Sequence, residues 1–265
     1  MKPLRIGCVK YINARPLIRG WPGEVEFDHP SILCQRLANA ELDVALVSSL
    51  EYLRNPIYQI VDGVSISSHG PVYSVVVAHC GDFSDVEEIV LDPASQTSVN
   101  LLRCLLVELG LKPRLRRKIG NMPTVQTAHQ AQLLIGDQAI QFRQKQADEF
   151  KFWDLGEQWK KLTGLPFVYA LWLIRPEIAD AKSIAHRLRE LRDKNLASLD
   201  DVIAEVAGVA DLDDRKLTQE FLTRYYRSHL RFSFGENEKR GLQYFAKLCA
   251  RDGGLSGRHR PFRIV

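Results

Sequence analysis

The sequence lacks an apolar run long enough to cross a membrane. A membrane-spanning helix needs about 18 to 20 consecutive apolar residues, and polar residues interrupt every apolar stretch of this 265-residue chain before that length. The first ten residues, MKPLRIGCVK, also lack the apolar core of about 7–15 residues found in signal peptides. We therefore expect no membrane attachment, no export and a cytoplasmic location.

The sequence also has few residues that could form a metal site or a disulfide framework. There is no CxxC pair and no HExxH motif, and the seven His are scattered. The five cysteines are odd in number, lie far apart and stand mostly among apolar neighbours, which is typical of buried thiols in a reducing compartment. They are Cys8, Cys34, Cys80, Cys104 and Cys249.

A strong excess of charge is missing as well. The formal net charge is +4, and no Lys/Arg run is interleaved with aromatic residues, so we expect no nucleic-acid surface. A mild positive charge is compatible with a small anionic ligand. The sequence contains no internal repeat, no low-complexity tract and no Pro/Gly/Ser linker, and nothing in it indicates an oligomeric state.

What the sequence does contain is the alternation of short apolar strands with helices that indicates an α/β fold. The 45% hydrophobic content is enough for a sizeable core. The pattern predicts two similar α/β units with parallel pairing, followed by a mostly helical last third that packs back on the first unit. The predicted strands are Arg5–Val9, Val44–Val47, Ser65–Ser68, Tyr73–Ala78, Glu88–Leu91, Leu133–Ile135 and Phe167–Ile174.

This organisation predicts two lobes. The first would be discontinuous, comprising residues 1–76 and 173–265, and residues 77–172 would form an inserted second lobe. Two crossover strands, near Tyr73–Ala78 and Phe167–Trp172, would connect the lobes. The cleft between them, lined by strand-end loops and helix N-termini, is the expected ligand site.

Four loops at strand ends carry polar residues that could line this cleft. Tyr11 and Asn13 follow the first strand, Ser48 and Ser49 follow the second, and Ser74 lies in SSHGPVYS. Ser95–Ser98, including Thr97 and Ser98, stands at the start of a helix, where free N–H groups and the helix dipole attract anions.

Each of these patterns also has a purely structural interpretation. The Ser and Thr residues could simply cap helices, and Asn13 could bond its own turn. His69 is a possible acid or base beside a Gly-Pro turn. From the residues alone, a small-anion binding protein and an enzyme remain equally possible.

Seven segments together resemble the chorismate dehydratases of the futalosine route to menaquinone, and the resemblance covers nearly the whole chain. These enzymes have the fold of type II periplasmic binding proteins. The segments are RIGCVKYINARPL, DVALVSSLEY, SSHGPVYSV, LDPASQTSVNLLRCLL, AQLLIGDQAI, DLGEQWKKLTGLPFVYALW and HLRFSFGENEKRGLQYFAKLC.

The resemblance implies loss of water from chorismate to give 3-[(1-carboxyvinyl)oxy]benzoate, without a metal or an organic cofactor. It implies an active-site role for Asn13, which as an amide suits hydrogen bonding better than proton removal. Tyr11, Ser48, Ser49, Ser74, Thr97 and Ser98 are the expected substrate contacts. Glu51 is a second candidate for the base.

One departure from the family pattern bears on the substrate. Gln96 stands where Arg is common, and this loss of positive charge would need compensation from Arg15 or Arg103. Two alternatives stay open. One is the sister enzyme of the same route, which releases 1,4-dihydroxy-6-naphthoate, and the other is a non-catalytic receptor for a small carboxylate.

Overall fold

A computed structural model of the chain describes residues 3–92, 96–118, 127–209, 217–251, 255 and 261–265. Ser95, which the sequence places at the possible anion site, lies outside these residues. Ten strands among the described residues form two five-stranded sheets. The strands are β1 (Ile6–Val9), β2 (Val25–Asp28), β3 (Val44–Ser48), β4 (Gln59–Ser68), β5 (Val75–His79), β6 (Glu88–Leu91), β7 (Arg114–Arg117), β8 (Gln130–Ile135), β9 (Lys151–Asp154) and β10 (Phe167–Ile174).

Helices connect and cover the sheets, and the last third of the described chain is mainly helical, as expected. The helices are α1 (Arg15–Ile18), α2 (Pro30–Ala38), α3 (Ser49–Arg54), α4 (Gln96–Glu108), α5 (Gly136–Lys145), α6 (Leu155–Thr163), α7 (Ala181–Ala197), α8 (Leu199–Val209), α9 (Gln219–Arg224) and α10 (Glu236–Arg251). A 3-10 turn spans Ile12–Ala14, and a single π-helical turn spans Tyr225–His229. No helix among the described residues is long and apolar enough to span a membrane.

The two sheets share one plan. The first has the order β2-β1-β3-β10-β4 and the second the order β7-β6-β8-β5-β9. In each, three neighbouring strands run parallel, and the fourth, β10 or β5, is antiparallel to both of its neighbours. The two similar α/β units are therefore confirmed, whereas the expectation of parallel pairing is wrong for β5 and β10.

The antiparallel strands follow from the path of the chain. Residues 69–74 lead from β4 in the first sheet to β5 in the second, and residues 155–166, mostly α6, lead from β9 back to β10. Both crossovers lie at the same side of the sheets, so β5 and β10 each start where the neighbouring parallel strands end. All of β10 belongs to the first sheet; the lobe boundaries at 76/77 and 172/173 stay a prediction.

A buried carboxylate ties the two crossovers together. Asp154 caps α6 by accepting the N–H groups of Gly156 at 3.0 Å and Glu157 at 3.1 Å. The same side chain accepts the N–H groups of Val72 at 3.0 Å and Tyr73 at 2.8 Å from the other crossover. Because four backbone donors share one buried acceptor group, the relative position of the crossovers is fixed at this point.

Candidate functional site

One cleft lies between the two sheets, at the ends of the parallel strands. About 600 Å³ there is not filled by protein atoms, part of it open to solvent. This is the position at which α/β sheets usually bind ligands, because loops and helix N-termini converge there. The lining residues are Val9, Tyr11, Asn13, Pro30, Ser48, Ile66, Val72, Ser74, Val75, Gln96, Thr97, Ser98, Ile135, Gly136, Tyr169 and Ala170.

The cleft brings together six of the seven residues predicted from the sequence. They are Tyr11, Asn13, Ser48, Ser74, Thr97 and Ser98. Their roles toward a substrate stay predictions. Ser49 is not brought to the cleft, because its fully buried hydroxyl donates to the carbonyl oxygen of Val168 at 2.7 Å in the neighbouring strand β10.

Asn13 lies in the 3-10 turn that follows β1. Its Oδ1 atom is buried and has no hydrogen-bond partner among the described residues, although the side chain lines the cleft. Buried amide oxygens are normally paired, and an unpaired one is costly. The unpaired amide oxygen of Asn13 can therefore accept a hydrogen bond from a bound molecule.

The ring of Tyr11 lies directly over Gly136, across the cleft. A Cβ atom on Gly136 would come within 2.8 Å of the ring, and the backbone there has a φ of +58°. Both facts require glycine at the start of α5. Burial, followed by the nearby Asp92 and Asp137 charges, raises the pKa of the Tyr11 phenol, so this ring is a neutral wall at ordinary pH.

Hydroxyl groups join the two sides of the cleft at the start of α4. Ser48, at the end of β3, and Thr97, in the first turn of α4, are hydrogen-bonded to each other through their hydroxyls. The N–H of Leu50 also approaches the Thr97 hydroxyl, at 3.4 Å. Since helices attract anions at their first turn, this corner of the cleft suits a carboxylate.

Ser74 lines the opposite part of the cleft, where β5 begins. Its hydroxyl is buried and accepts a hydrogen bond from the Tyr225 hydroxyl at 2.8 Å. Tyr225 is itself buried, and burial raises its pKa, so it stays a donor. The Ser74 proton is thus directed away from Tyr225, toward the Val72 carbonyl at 3.5 Å or toward a ligand.

The positive charge expected near position 96 comes from Arg54. Its guanidinium donates to Oε1 of Gln96, a lining residue. Neither Arg15 nor Arg103 takes this place: Arg15 lies over the ring of Phe27, 5.4 Å from its centroid, and Arg103 is exposed on α4. Because a guanidinium can only donate hydrogen bonds, Arg54 binds the amide oxygen of Gln96. The N–H₂ group of Gln96 therefore stays available to the cleft.

Among the residues that the structure describes, the lining contains no Asp, Glu, His, Lys, Arg or Cys. Glu51 accepts from the side chain of Asn55 at 2.8 Å and is not a lining residue, and His69 contacts the Gly164 carbonyl at 3.1 Å on the surface. Across the part of the chain that the structure describes, no three His, Cys, Asp or Glu side chains are grouped as a metal ion would need.

Comparison with known proteins agrees with this geometry. Residues 4–251 match the family described as menaquinone biosynthesis. The chain belongs to this menaquinone biosynthesis family. It is 31% identical to the chorismate dehydratase of Thermus thermophilus, covering 93% of this chain and 95% of that protein. It is 28% identical to the chorismate dehydratase of Campylobacter jejuni, covering 93% and 92%.

The fold comparison gives the architecture of this menaquinone-family member. A Candida albicans protein with the generic periplasmic binding protein fold superposes with a TM-score of 0.65 at 13% identity, covering 98% of this chain and 92% of that one. At that identity the likeness shows the fold alone. It confirms the two-lobed binding-protein architecture expected from the sequence.

Sequence reasoning missed two residues that contact the Asn13 turn. Asp137, in the first turn of α5, accepts the N–H of Ile12 with Oδ1 at 3.1 Å and Oδ2 at 3.3 Å. Tyr226 donates its hydroxyl to the Ile12 carbonyl at 2.7 Å. An acidic residue directly after a glycine at the end of a strand, as in IGDQAI, was a usable signal for Asp137. Tyr226 lies 214 residues from Ile12 in the sequence, and no sequence pattern indicates their contact.

Proposed function

We propose that the protein is a chorismate dehydratase, a hydro-lyase that converts chorismate to 3-[(1-carboxyvinyl)oxy]benzoate and water in menaquinone biosynthesis. The observation that carries the proposal is the 31% identity to a chorismate dehydratase over nearly the full length of both chains. The cleft supports it because hydroxyl and N–H donors, with the Arg54 guanidinium next to Gln96, are gathered there beside apolar side chains, which suits a small dianion with apolar ring faces.

The substrate's two carboxylates would bind at separate places. One would lie at the first turn of α4, near Thr97, Ser98 and the N–H₂ group of Gln96. The other would lie near Ser74. The apolar side chains of Val9, Ile66 and Ile135 would contact the ring, and Tyr11 would cover it.

The reaction removes the proton from the ring carbon that bears the enolpyruvyl ether and expels the hydroxyl from the neighbouring carbon, so that the ring becomes aromatic. In the described part of the chain, no carboxylate, imidazole or amine lines the cleft to take this proton. We therefore assign proton removal to a carboxylate of the substrate itself or to a bound water. Asn13 would orient the reacting atoms, because its amide oxygen can accept a hydrogen bond from a hydroxyl group of the substrate or of the bound water.

The decisive experiment is turnover of chorismate by the purified protein in the presence of a chelator, with products followed by chromatography and mass spectrometry. The proposal predicts a product lighter than chorismate by one water. Asn13→Ala should reduce kcat by at least about a hundredfold, because orientation of the reacting groups is lost. Asn237→Ala, an exposed position on α10, is the matched control and should keep full activity.

Binding of chorismate without turnover would contradict the enzyme and favour the carboxylate receptor. Release of dihydroxynaphthoate from a cyclised futalosine derivative would identify the sister enzyme instead. A cytoplasmic location belongs to the same proposal. It is supported by the five cysteines, which are all described and none of which forms a disulfide.

A further inference from the structure

The peptide unit before Asn13 is held from two directions. The Asp137 carboxylate, on α5 of the second sheet's unit, receives the Ile12 N–H, and the Tyr226 hydroxyl, from the π-helical turn, donates to the Ile12 carbonyl. Within the three-residue turn, the Ala14 N–H donates to the Tyr11 carbonyl at 3.1 Å, and the Arg15 N–H donates to the Ile12 carbonyl. These two bonds shape the turn itself, whereas the contacts with Asp137 and Tyr226 fix its position relative to α5 and to the π-helical turn.

We propose that Asp137 is a positioning residue for the dehydration, which fixes the Ile12 peptide across the cleft and thereby sets the direction in which Asn13 meets the substrate. The inference rests on the proposed function. Because the Asn13 amide oxygen has no partner among the described residues, no contact of that oxygen within the protein orients the side chain, and the backbone must do so. Tyr226 completes the same clamp from the carbonyl side.

The clamp needs the ionised form of Asp137 to be strong, because a carboxylate accepts hydrogen bonds better than a neutral acid. Burial raises the pKa of Asp137 to about 6, against the opposing effects of the Ile12 N–H and the positive charges of Arg15 and Lys10. The clamp should therefore weaken as the pH falls through about 6. The ionisable groups that face this carboxylate are Lys10, Tyr11, Arg15, Tyr225 and Tyr226.

The kinetic test compares Asp137→Asn with the wild type across pH 5 to 8. We expect kcat to fall at least tenfold while KM changes less than threefold, because the substrate carboxylates bind elsewhere. The wild-type kcat should drop below a pKa near 6, and that limb should be absent in Asp137→Asn. The proposal would be overturned if Asp137→Asn lowered KM alone, or if its kcat still dropped below pH 6 as in the wild type.

A second variant approaches the clamp from its other side. Tyr226→Phe removes only the hydroxyl that reaches Ile12 and should also lower kcat, while keeping the acid limb near pH 6. The matched controls are Asp148→Asn, exposed after α5, and Tyr244→Phe on α10, both of which should leave kcat unchanged. Full activity of Tyr226→Phe would contradict the clamp.

A measurement without turnover separates this inference from the proposed function. Hydrogen exchange of the Ile12 amide should be faster by at least tenfold in Asp137→Ala than in the wild type, at pH 7.5 and without substrate. Unchanged exchange would refute the clamp even in an active enzyme. If the wild type does not convert chorismate, the proposed function fails while this exchange difference still tests the contact.

Discussion

Gln96 shows how a single side chain can set the charge of the cleft. It lines the cleft in the first turn of α4 and is held by Arg54 through its amide oxygen. Its amide N–H₂ group is thereby left for a ligand, and the full positive charge lies on Arg54, next to Gln96. The described lining is uncharged, and the Arg54 guanidinium and the helix dipole together supply the positive potential for a dianion.

Changing this residue to Glu tests the anion site with almost no change in shape. Gln96→Glu should raise the Kd for the product 3-[(1-carboxyvinyl)oxy]benzoate by at least about tenfold, because a carboxylate would face a substrate carboxylate at close range. Stability should be unchanged or slightly higher, since a negative charge at a helix start is favourable. Isothermal titration calorimetry and thermal unfolding measure the two effects.

The control for this charge change is Gln219→Glu, at the first position of α9 and exposed. It adds the same charge to a helix start outside the cleft lining and should leave the Kd unaltered. Equal affinity of Gln96→Glu and wild type would mean that the carboxylates bind away from α4.

Single residues also show the limit of reading a site from sequence. Ser48 and Ser49 are neighbours with the same chemistry, yet only Ser48 lines the cleft. Ser48 ends strand β3, whereas Ser49 begins α3 and its hydroxyl turns back to β10. The sequence predicts that polar groups gather at this strand end. It does not predict which of the two hydroxyls will hydrogen-bond to a neighbouring strand, because β10 lies more than a hundred residues later in the sequence.

At the scale of elements, apolar strands were predictable and polar edge strands were not. Glu88–Leu91 and Phe167–Ile174 were predicted with their observed bounds, because both are short apolar runs buried in a sheet. Strands β2 (VEFD) and β7 (RLRR) were missed, since edge strands carry exposed charged side chains. Strand direction was missed for β5 and β10 because an apolar run carries no directional signal.

The start of α5 is the element boundary where the site and the fold depend most closely on each other. Gly136→Ala should destabilise the protein by about 2 kcal/mol, because a side chain is strained at positive φ and its Cβ would overlap the Tyr11 ring. The midpoint of urea unfolding, followed by circular dichroism, measures the loss. Product affinity should fall as Tyr11 is displaced.

A matched glycine should respond with the opposite sign. Gly208, in α8, has ordinary helical backbone and no atom within 4 Å of an added Cβ. Gly208→Ala should therefore stabilise the protein by about 0.5–1 kcal/mol through helix propensity. Destabilisation by both substitutions, or by neither, would show that contact with Tyr11 does not decide the residue at position 136.

At the scale of the whole molecule, most buried apolar residues of both sheets form one continuous core, and Val76, Ala78, Leu134 and Ala139 form a small second cluster. Polar groups in and beside the cleft are buried against the main core at a cost in stability. Asp137 is the clearest case. Its folded pKa of about 6 lies above the ordinary value of 3.8, because burial disfavours its charge. The folded state thus binds the proton more tightly than the unfolded state does, and this group's contribution to stability is lost as the pH rises from about 4 to 6.

Removing this charge should therefore stabilise the fold while it damages the reaction. Asp137→Asn should be more stable than wild type by up to about 3 kcal/mol at pH 7.5, the equivalent of the pKa difference. The gain should shrink toward zero below about pH 3, where the wild-type residue is protonated in both states. Urea unfolding at a series of pH values, with Asp148→Asn as control, measures it. A variant less stable than wild type at pH 7.5 would instead mean that the Ile12 contact outweighs the cost of burial, and that Asp137 serves the fold more than the reaction.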